Sequence, residues 1–293
     1  MGTKSTHSGL PILALLAGAA MWGVVWYPMR LLEHAGLSGV WLTLFLYLAS
    51  AVVGVVLAWR HLRWIPRHPW VLLGLALSAG WTNLAFILAV LDGNVMRVLL
   101  LFYLSPVWAV LLGWLFLKET LSRYTVGILV VAVIGAVMML QRPGEPWPWP
   151  SSASDWYALS SGFAFAVSNI FVRYGEAIPV SVKGLVSWAG VTLLAAIMIA
   201  FGNTAAPALT VGLVFGVIML AVFGMIVMTL LVQYGVSNMP VHRSAIILLF
   251  ELVAGAVSQQ LLTDESMKLT EWGGGLLVVV AAAMMAIREK YVD

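Results

Sequence analysis

The chain has 293 residues, 62% of them hydrophobic and 9% charged, with a mean hydropathy of +1.01 and a formal net charge of +3. One soluble core cannot hide that much apolar surface, so lipid must solvate much of it, and an all-α integral membrane protein is expected. With no cysteine, disulfides, thiolate metal sites and cysteine nucleophiles are excluded, and so small a net charge gives no reason to expect nucleic acid as a partner.

In chain order, runs of roughly 20 apolar residues, enough to cross a bilayer core of about 30 Å, fall near 10–32, 39–59, 69–91, 95–117 and 122–141. A second series follows near 155–175, 183–201, 208–234, 241–262 and 270–287. The first run has some look of a signal peptide, with Lys4 ahead of it and the small residues Ala17-Gly18-Ala19-Ala20 within it. Its apolar character continues through Trp22, Val24, Val25 and Trp26 to Leu32, which predicts an uncleaved helix. Between the two series, Pro143, Pro146, Pro148 and Pro150 alternate with Trp147 and Trp149. That composition predicts a semi-rigid extended connector whose tryptophans sit at headgroup depth. A cytoplasmic N-terminus places Lys4, Arg60, Arg63, Arg67, Lys118, Arg123, Arg173, Lys183, Arg243, Arg288 and Lys290 inside, leaving Arg30, Arg97, Arg142 and Lys268 outside. The positive-inside rule then puts both termini in the cytoplasm.

The second series repeats the first at an offset of 146 residues. Leu104-Ser105-Pro106-Val107 faces Phe250-Glu251-Leu252-Val253, and Lys118-Glu119-Thr120-Leu121 faces Asp264-Glu265-Ser266-Met267, while Arg97/Arg243, Gly127/Gly273 and Met138/Met284 fall in register. Five spans per copy is an odd number, so the second copy enters the bilayer in the opposite orientation. The expected organisation is ten spans as two inverted five-helix repeats, residues 1–141 and 155–293, joined by 142–154, a design that points to alternating access. Gly212, Gly216 and Gly224, Gly127 and Gly135, and Gly273-Gly274-Gly275 are sites for close helix approach. The match of Gly127 with Gly273 predicts equivalent packing of the last helix of each half, either between the halves or in a dimer, hence a monomer or a weak homodimer.

Functional candidates are the polar and helix-disrupting residues inside the spans, where a charge costs about 2.5 to 3.5 kcal/mol even on the gentlest scale. Glu251 lies near the middle of the ninth span. It reads either as a proton carrier or substrate-ammonium partner, or as a structural carboxylate bonded to a neighbouring helix. Pro106 removes one backbone N–H and kinks the fourth span, freeing the carbonyl near Phe102 for packing or for a site. Tyr103 and Trp108 flank it; Trp22, Trp81 and Asn83 lie deep in the first and third spans, whereas Trp26 and Tyr27 read as interfacial belt residues. In the second half Ser168 and Asn169 sit within the sixth span, and Met225 and Met228 within the eighth. The two methionines suit either packing or a permissive apolar pocket. Arg97 and Arg243 begin their spans at corresponding places and read as helix-end residues.

Trp22-Gly23 followed by Arg30, Leu104-Ser105-Pro106-Val107 leading to Glu119, and Phe250-Glu251-Leu252 leading to Glu265 are similar to signature elements of the drug/metabolite transporter superfamily, in its ten-span EamA-like branch. In that family the proline element often carries Glu before Pro; here Ser105-Pro106 and Glu251-Leu252 each keep half of the pattern. With its Trp-rich first, third and fourth spans, the chain looks most like the bacterial aromatic amino acid exporters of the branch. The resemblance implies a bacterial inner-membrane exporter with a central cavity between the halves, built mainly from spans one, three, four, six, eight and nine.

The expected substrate cavity therefore comprises Trp22, Trp81, Asn83, Tyr103, Ser105, Pro106, Ser168, Asn169, Met225 and Glu251. Aromatic walls would stack on a planar side chain, while Asn83, Asn169, Ser105 and backbone near Pro106 would contact amino and carboxylate groups. So sparse a polar lining predicts broad selectivity. No GxxxxGK[ST] loop is present to bind ATP, which leaves proton coupling through Glu251 or facilitated diffusion, and facilitated export is the favoured expectation. Enzyme chemistry finds no support: there is no HExxH, His242 stands alone, and no base can be placed beside Ser160-Ser161-Gly162. No cofactor or metal is expected, and a channel would be told apart by unsaturable flux.

Overall fold

The computed structural model describes residues 9–37, 39–92, 95–140, 150–202, 205–262 and 268–287. The expectations placed on Lys4, on residues 142–149 of the connector, on 264–267, and on Arg288 and Lys290 lie outside the described residues, as does the Arg97 side chain. Among the described residues there is helix and turn and no strand.

In the first half α1 (Gly9–Val24) gives way after Val25 to α2 (Trp26–His34). Pro28 accounts for the break, because its ring displaces the carbonyl four residues back, at Val24. Gly36, at φ 102°, turns the chain towards α3 (Gly39–Ala58) in a conformation that side chains disfavour. A short tight helix, Trp59–Trp64, leads into α4 (Pro69–Asp92), which opens on a proline where no intrahelical donor is needed. Then come α5 (Val95–Phe102), α6 (Ser105–Leu117) and α7 (Arg123–Leu140).

The second half opens with α8 (Ala153–Tyr174), begun by a reciprocal cap in which the Asp155 amide donates to Ser152 Oγ and the Ser152 amide donates to Asp155 Oδ2. After it come α9 (Val180–Phe201), α10 (Val211–Met219), a wide π-type turn over Leu220–Ile226, α11 (Val227–Ser237), α12 (Val241–Leu248), α13 (Phe250–Leu262) and α14 (Leu269–Ile287). Shifted by 146 residues, α5 has the same bounds as α12, and α6 and α7 match α13 and α14 to within one residue.

The packing follows the same exchange. α4 lies on α8, as α1 lies on α11; α5 and α6 lie on α8, as α12 and α13 lie on α1; α3 meets α9, and α7 meets α14. The α7–α14 contact is closest at Gly135 and Gly274, where a Cβ added to either would come within 2.7 Å or 2.5 Å of the other's carbonyl oxygen. Of the glycines expected to allow close approach, Gly135 and Gly274 make this contact, whereas Gly127, expected to pack between the halves or in a dimer, faces open space, and Gly273 meets the end of the Met138 side chain. Of the expected GxxxG pair, Gly216 packs on Leu32 of α2 while Gly212 meets no other helix.

Among the described residues six helical segments are long and apolar enough to cross a membrane: Gly9–His34, Gly39–Trp64, Pro69–Ala89, Val180–Phe201, Val211–Ser237 and Val241–Leu262. Ser105–Leu117, Arg123–Met139 and Leu269–Met285 are apolar but shorter. α8 has the length of a span, but its serines, Asp155 and Asn169 lower its hydropathy. Two of those serines tie it to α4, Ser154 Oγ donating to the Ala89 carbonyl and Ser161 Oγ to the Thr82 carbonyl, each at 2.6 Å. Large apolar side chains such as Val56, Leu115, Phe215 and Phe223 are exposed on the outside of the bundle, as lipid contact requires.

Candidate functional site

Pro106 explains why α5 stops at Phe102 and the helix resumes at Ser105: the ring excludes the carbonyl of residue 102 from the helical ladder. The second copy has Leu252 at the equivalent place, yet α12 also stops, at Leu248, and the chain tightens there, with the Leu252 amide donating to the Leu249 carbonyl at 3.0 Å. The two breaks face one cavity. Phe102, Tyr103, Ser105, Pro106 and Ala109 line it from the first copy, Ala245, Leu248, Leu249 and Glu251 from the second, and Phe165 and Asn169 from α8.

Aromatic rings form one wall. Phe102 packs edge-on to Tyr103 with centroids 5.3 Å apart, tilted on Phe165 at 5.8 Å, and edge-on to Phe86 at 5.2 Å. Polar groups line the same cavity: the Tyr103 hydroxyl donates to the Glu251 carboxylate, Ser105 is buried, and Asn169, 4% exposed, has an Nδ2 with no hydrogen-bond partner. An unsatisfied amide in an apolar interior costs about 1–3 kcal/mol. The cavity itself is about 10 Å³, close to the room that the centre of one water requires. A solute the size of an amino acid enters only if the helices around it move apart.

Five of the ten residues expected at the site thus meet here, Tyr103, Ser105, Pro106, Asn169 and Glu251. The others are engaged elsewhere. Asn83 Oδ1 accepts from the Tyr47 hydroxyl at 2.7 Å and its Nδ2 donates to the Ala79 carbonyl. Trp81 donates to Ser160 Oγ at 3.3 Å, Ser168 donates to the Phe165 carbonyl within its own helix, and Trp22 packs between the two largest apolar clusters. Met225, buried in the π-type turn, and Met228 pack with Leu32, Leu46 and Trp188. Trp26, read as a belt residue, has a specific partner in Ser258 Oγ at 2.9 Å. Phe102, Ala109, Phe165, Ala245, Leu248 and Leu249 were missed as lining residues; of these, Leu249 had a signal, since the 146-residue offset maps it onto Tyr103.

Two further polar constellations lie away from the cavity. Lys118 takes a left-handed conformation at φ 55°, which turns Glu119 under the N-terminus of α12. There Glu119 Oε1 accepts from the Val241 amide at 2.8 Å and Oε2 from His242 Nδ1 at 2.7 Å. Burial alone would raise the Glu119 carboxyl, but the hydrogen bonds from His242 and Val241 outweigh it and hold the group below its ordinary 4.5. The signal in the sequence was Pro240: as the residue before α12 it has no side-chain oxygen to cap the helix, so a carboxylate must come from elsewhere. The second constellation centres on Lys183, fully buried, whose Nζ donates to the carbonyls of Val172 and Gly175 and to Ser237 Oγ. Arg173 adds hydrogen bonds to the Ser237 carbonyl and to Glu176. Both cations sit at the C-terminal ends of α8 and α11, where the helix dipole favours them.

Residues 9–141 match the EamA-like transporter family. Protein RarD of Salmonella typhi and Protein RarD of Salmonella typhimurium are each 27% identical to the chain over 175 residues, 57% of this chain and 55% of theirs. The matched region spans about half the length of these curated relatives. A solved structure described only as a crystal structure of a protein has a TM-score of 0.75, covers 96% of this chain and 98% of its own, and is 17% identical. At that identity the likeness is one of fold.

Proposed function

We propose that the chain is a multi-pass transporter of the bacterial inner membrane that exports small solutes, amino acids and first of all aromatic ones, by alternating access. The observation that carries this reading is the pair of facing helix breaks, which gathers Tyr103, Ser105, Asn169 and Glu251 in one cavity with a cluster of aromatic rings. Broken helices and buried polar groups inside a membrane bundle are tolerated where they line a solute path. The unpartnered Asn169 amide suits a carboxylate, Glu251 suits an ammonium group, and the rings suit a planar side chain. The match of residues 9–141 to a transporter family supports the class of activity, and an enzyme is the disfavoured alternative.

The architecture proposed is ten spans in two inverted five-helix repeats, 1–141 and 155–293, with both termini cytoplasmic. The recurrence of helix bounds at 146 residues and the exchange of contacts between copies favour it. The two copies differ at one crossing. A Cβ on Gly23 of α1 would lie 2.6 Å from the Gly255 amide of α13, whereas their counterparts at the same offset, Asn169 and Ala109, line the cavity. One crossing is shut and the other holds space, and a cycle that swaps the two states carries a solute across. Export runs down the solute gradient, with Glu251 as ligand rather than proton carrier, in a monomer or a weak homodimer, for which the open side of Gly127 leaves room. The test is efflux of labelled tryptophan and phenylalanine from liposomes holding the purified chain. Saturable efflux independent of an imposed pH gradient is expected; unsaturable flux would mean a channel, and efflux of neither solute would remove the aromatic assignment.

A further inference from the structure

The turn between α3 and α4 takes no part in the cavity, and its chemistry is one-sided. Residues 59–70 contain Arg60, Arg63 and Arg67 with Trp59, Trp64 and Trp70, and no carboxylate. All three arginines are exposed, and none has an acidic partner among the described residues. Trp59 and Trp70 are 62% and 80% exposed, and the Arg60 guanidinium lies 5.0 Å from the Trp59 ring centroid.

The opposite face is fixed. Leu62, Trp64 and Ile65 pack on Ala58, Leu72, Ile178, Val182 and Leu185, and Trp64 stacks on His68 with centroids 5.5 Å apart. Arginines on a rigid base therefore project where two membrane-crossing segments, Gly39–Trp64 and Pro69–Ala89, meet. Such a place is at headgroup depth, where tryptophan is enriched and where a guanidinium pairs with phosphate through parallel hydrogen bonds.

We propose that this turn is a docking surface for anionic phospholipid, with Arg60, Arg63 and Arg67 binding headgroup phosphates and Trp59 and Trp70 seated at the edge of the hydrocarbon. Charge complementarity selects the occupant, and the exposed indoles at span ends favour a lipid over a soluble acidic partner, which would leave them in water or bare hydrocarbon.

The test uses the full chain purified from a mixture of phosphatidylglycerol and phosphatidylcholine, with retained lipid counted by native mass spectrometry at low and high salt. The wild type is expected to retain phosphatidylglycerol preferentially. Each surface arginine is worth about fivefold, so R60Q/R63Q/R67Q should lower the preference by on the order of a hundredfold at low salt and by less at high salt. R60K/R63K/R67K should fall between the wild type and the glutamine variant, keeping the charge-dependent part and losing what the guanidinium's parallel hydrogen bonds add. If the triple glutamine variant is not monodisperse, R60Q and R67Q singly should each show the fivefold loss. Equal retention of the two lipids by the wild type, or an unchanged preference in the glutamine variants, would overturn the proposal. Displacement of phosphatidylglycerol by glycerol phosphate alone would overturn the lipid as occupant and point to a soluble phosphate.

Discussion

Replacing Glu119 by alanine removes the side chain that caps α12 and strips two close charged hydrogen bonds, at 2.8 Å from the Val241 amide and 2.7 Å from His242 Nδ1. Hydrogen bonds to a charged group contribute about 1.5–3 kcal/mol each, and a carboxylate at a partly buried helix N-terminus up to about 2. These terms overlap, so the expected loss for Glu119→Ala is about 3 kcal/mol, and for Glu119→Gln, which keeps one acceptor but loses the charge, about 1 kcal/mol. Hydrogen exchange in detergent micelles reads this locally. A loss of about 3 kcal/mol speeds opening at the Val241 and His242 amides by on the order of a hundredfold, together with a lower unfolding midpoint. The contribution also has a pH signature. Because the folded state holds the Glu119 carboxyl below its ordinary 4.5, its stabilisation is complete above that value and is lost as pH falls through the lowered one. The alanine variant should lack that acid-side slope. Exchange at Val241 within about twofold of wild type, where 1.4 kcal/mol is already tenfold, would refute the capping argument.

Asn169→Ala removes no hydrogen bond made by the amide nitrogen, so the unfolding midpoint should hold while tryptophan efflux from liposomes falls severalfold; efflux at the wild-type rate would free Asn169 from any role in the cavity. Gly23→Ala forces a Cβ to within 2.6 Å of the Glu251 carbonyl oxygen and the Gly255 amide, backbone atoms that cannot swing aside, and should cost about 1–3 kcal/mol in a melting experiment. Gly127→Ala, with nothing within 4 Å, is the neutral comparison. Lys183→Met leaves two carbonyls and Ser237 Oγ without their shared donor and should lower stability by about 2–4 kcal/mol, with solute affinity in the surviving protein unchanged.

The membrane class and the 146-residue register were legible because composition and repetition need no knowledge of packing. The first helix break was legible too, from Pro106. The second was visible only through the register, since Leu252 gives no local reason to stop a helix and the break at Leu249 is imposed by what surrounds it. Which face of a span turns inward was harder to read. A helix such as α4 is apolar all round, so its sequence has no polar stripe to phase it. Asn83 and Trp81 were therefore placed at the cavity on depth alone, and the structure turns them towards Tyr47 and Ser160. Glu251 and Asn169 belong to the same copy and line one cavity because α8 packs on α4, α5 and α6 while α13 packs on α1, a long-range fact that no window of sequence contains.

The chain has no cysteine of its own, so a single Ser105→Cys variant reports on the cavity without further engineering. In sealed vesicles of known orientation, a membrane-impermeant thiol reagent is added from one side and then from the other. Alternating access through the proposed cavity predicts labelling from both sides, slowed on both by tryptophan or phenylalanine. Labelling from neither side, or from one side only and indifferent to solute, would contradict it.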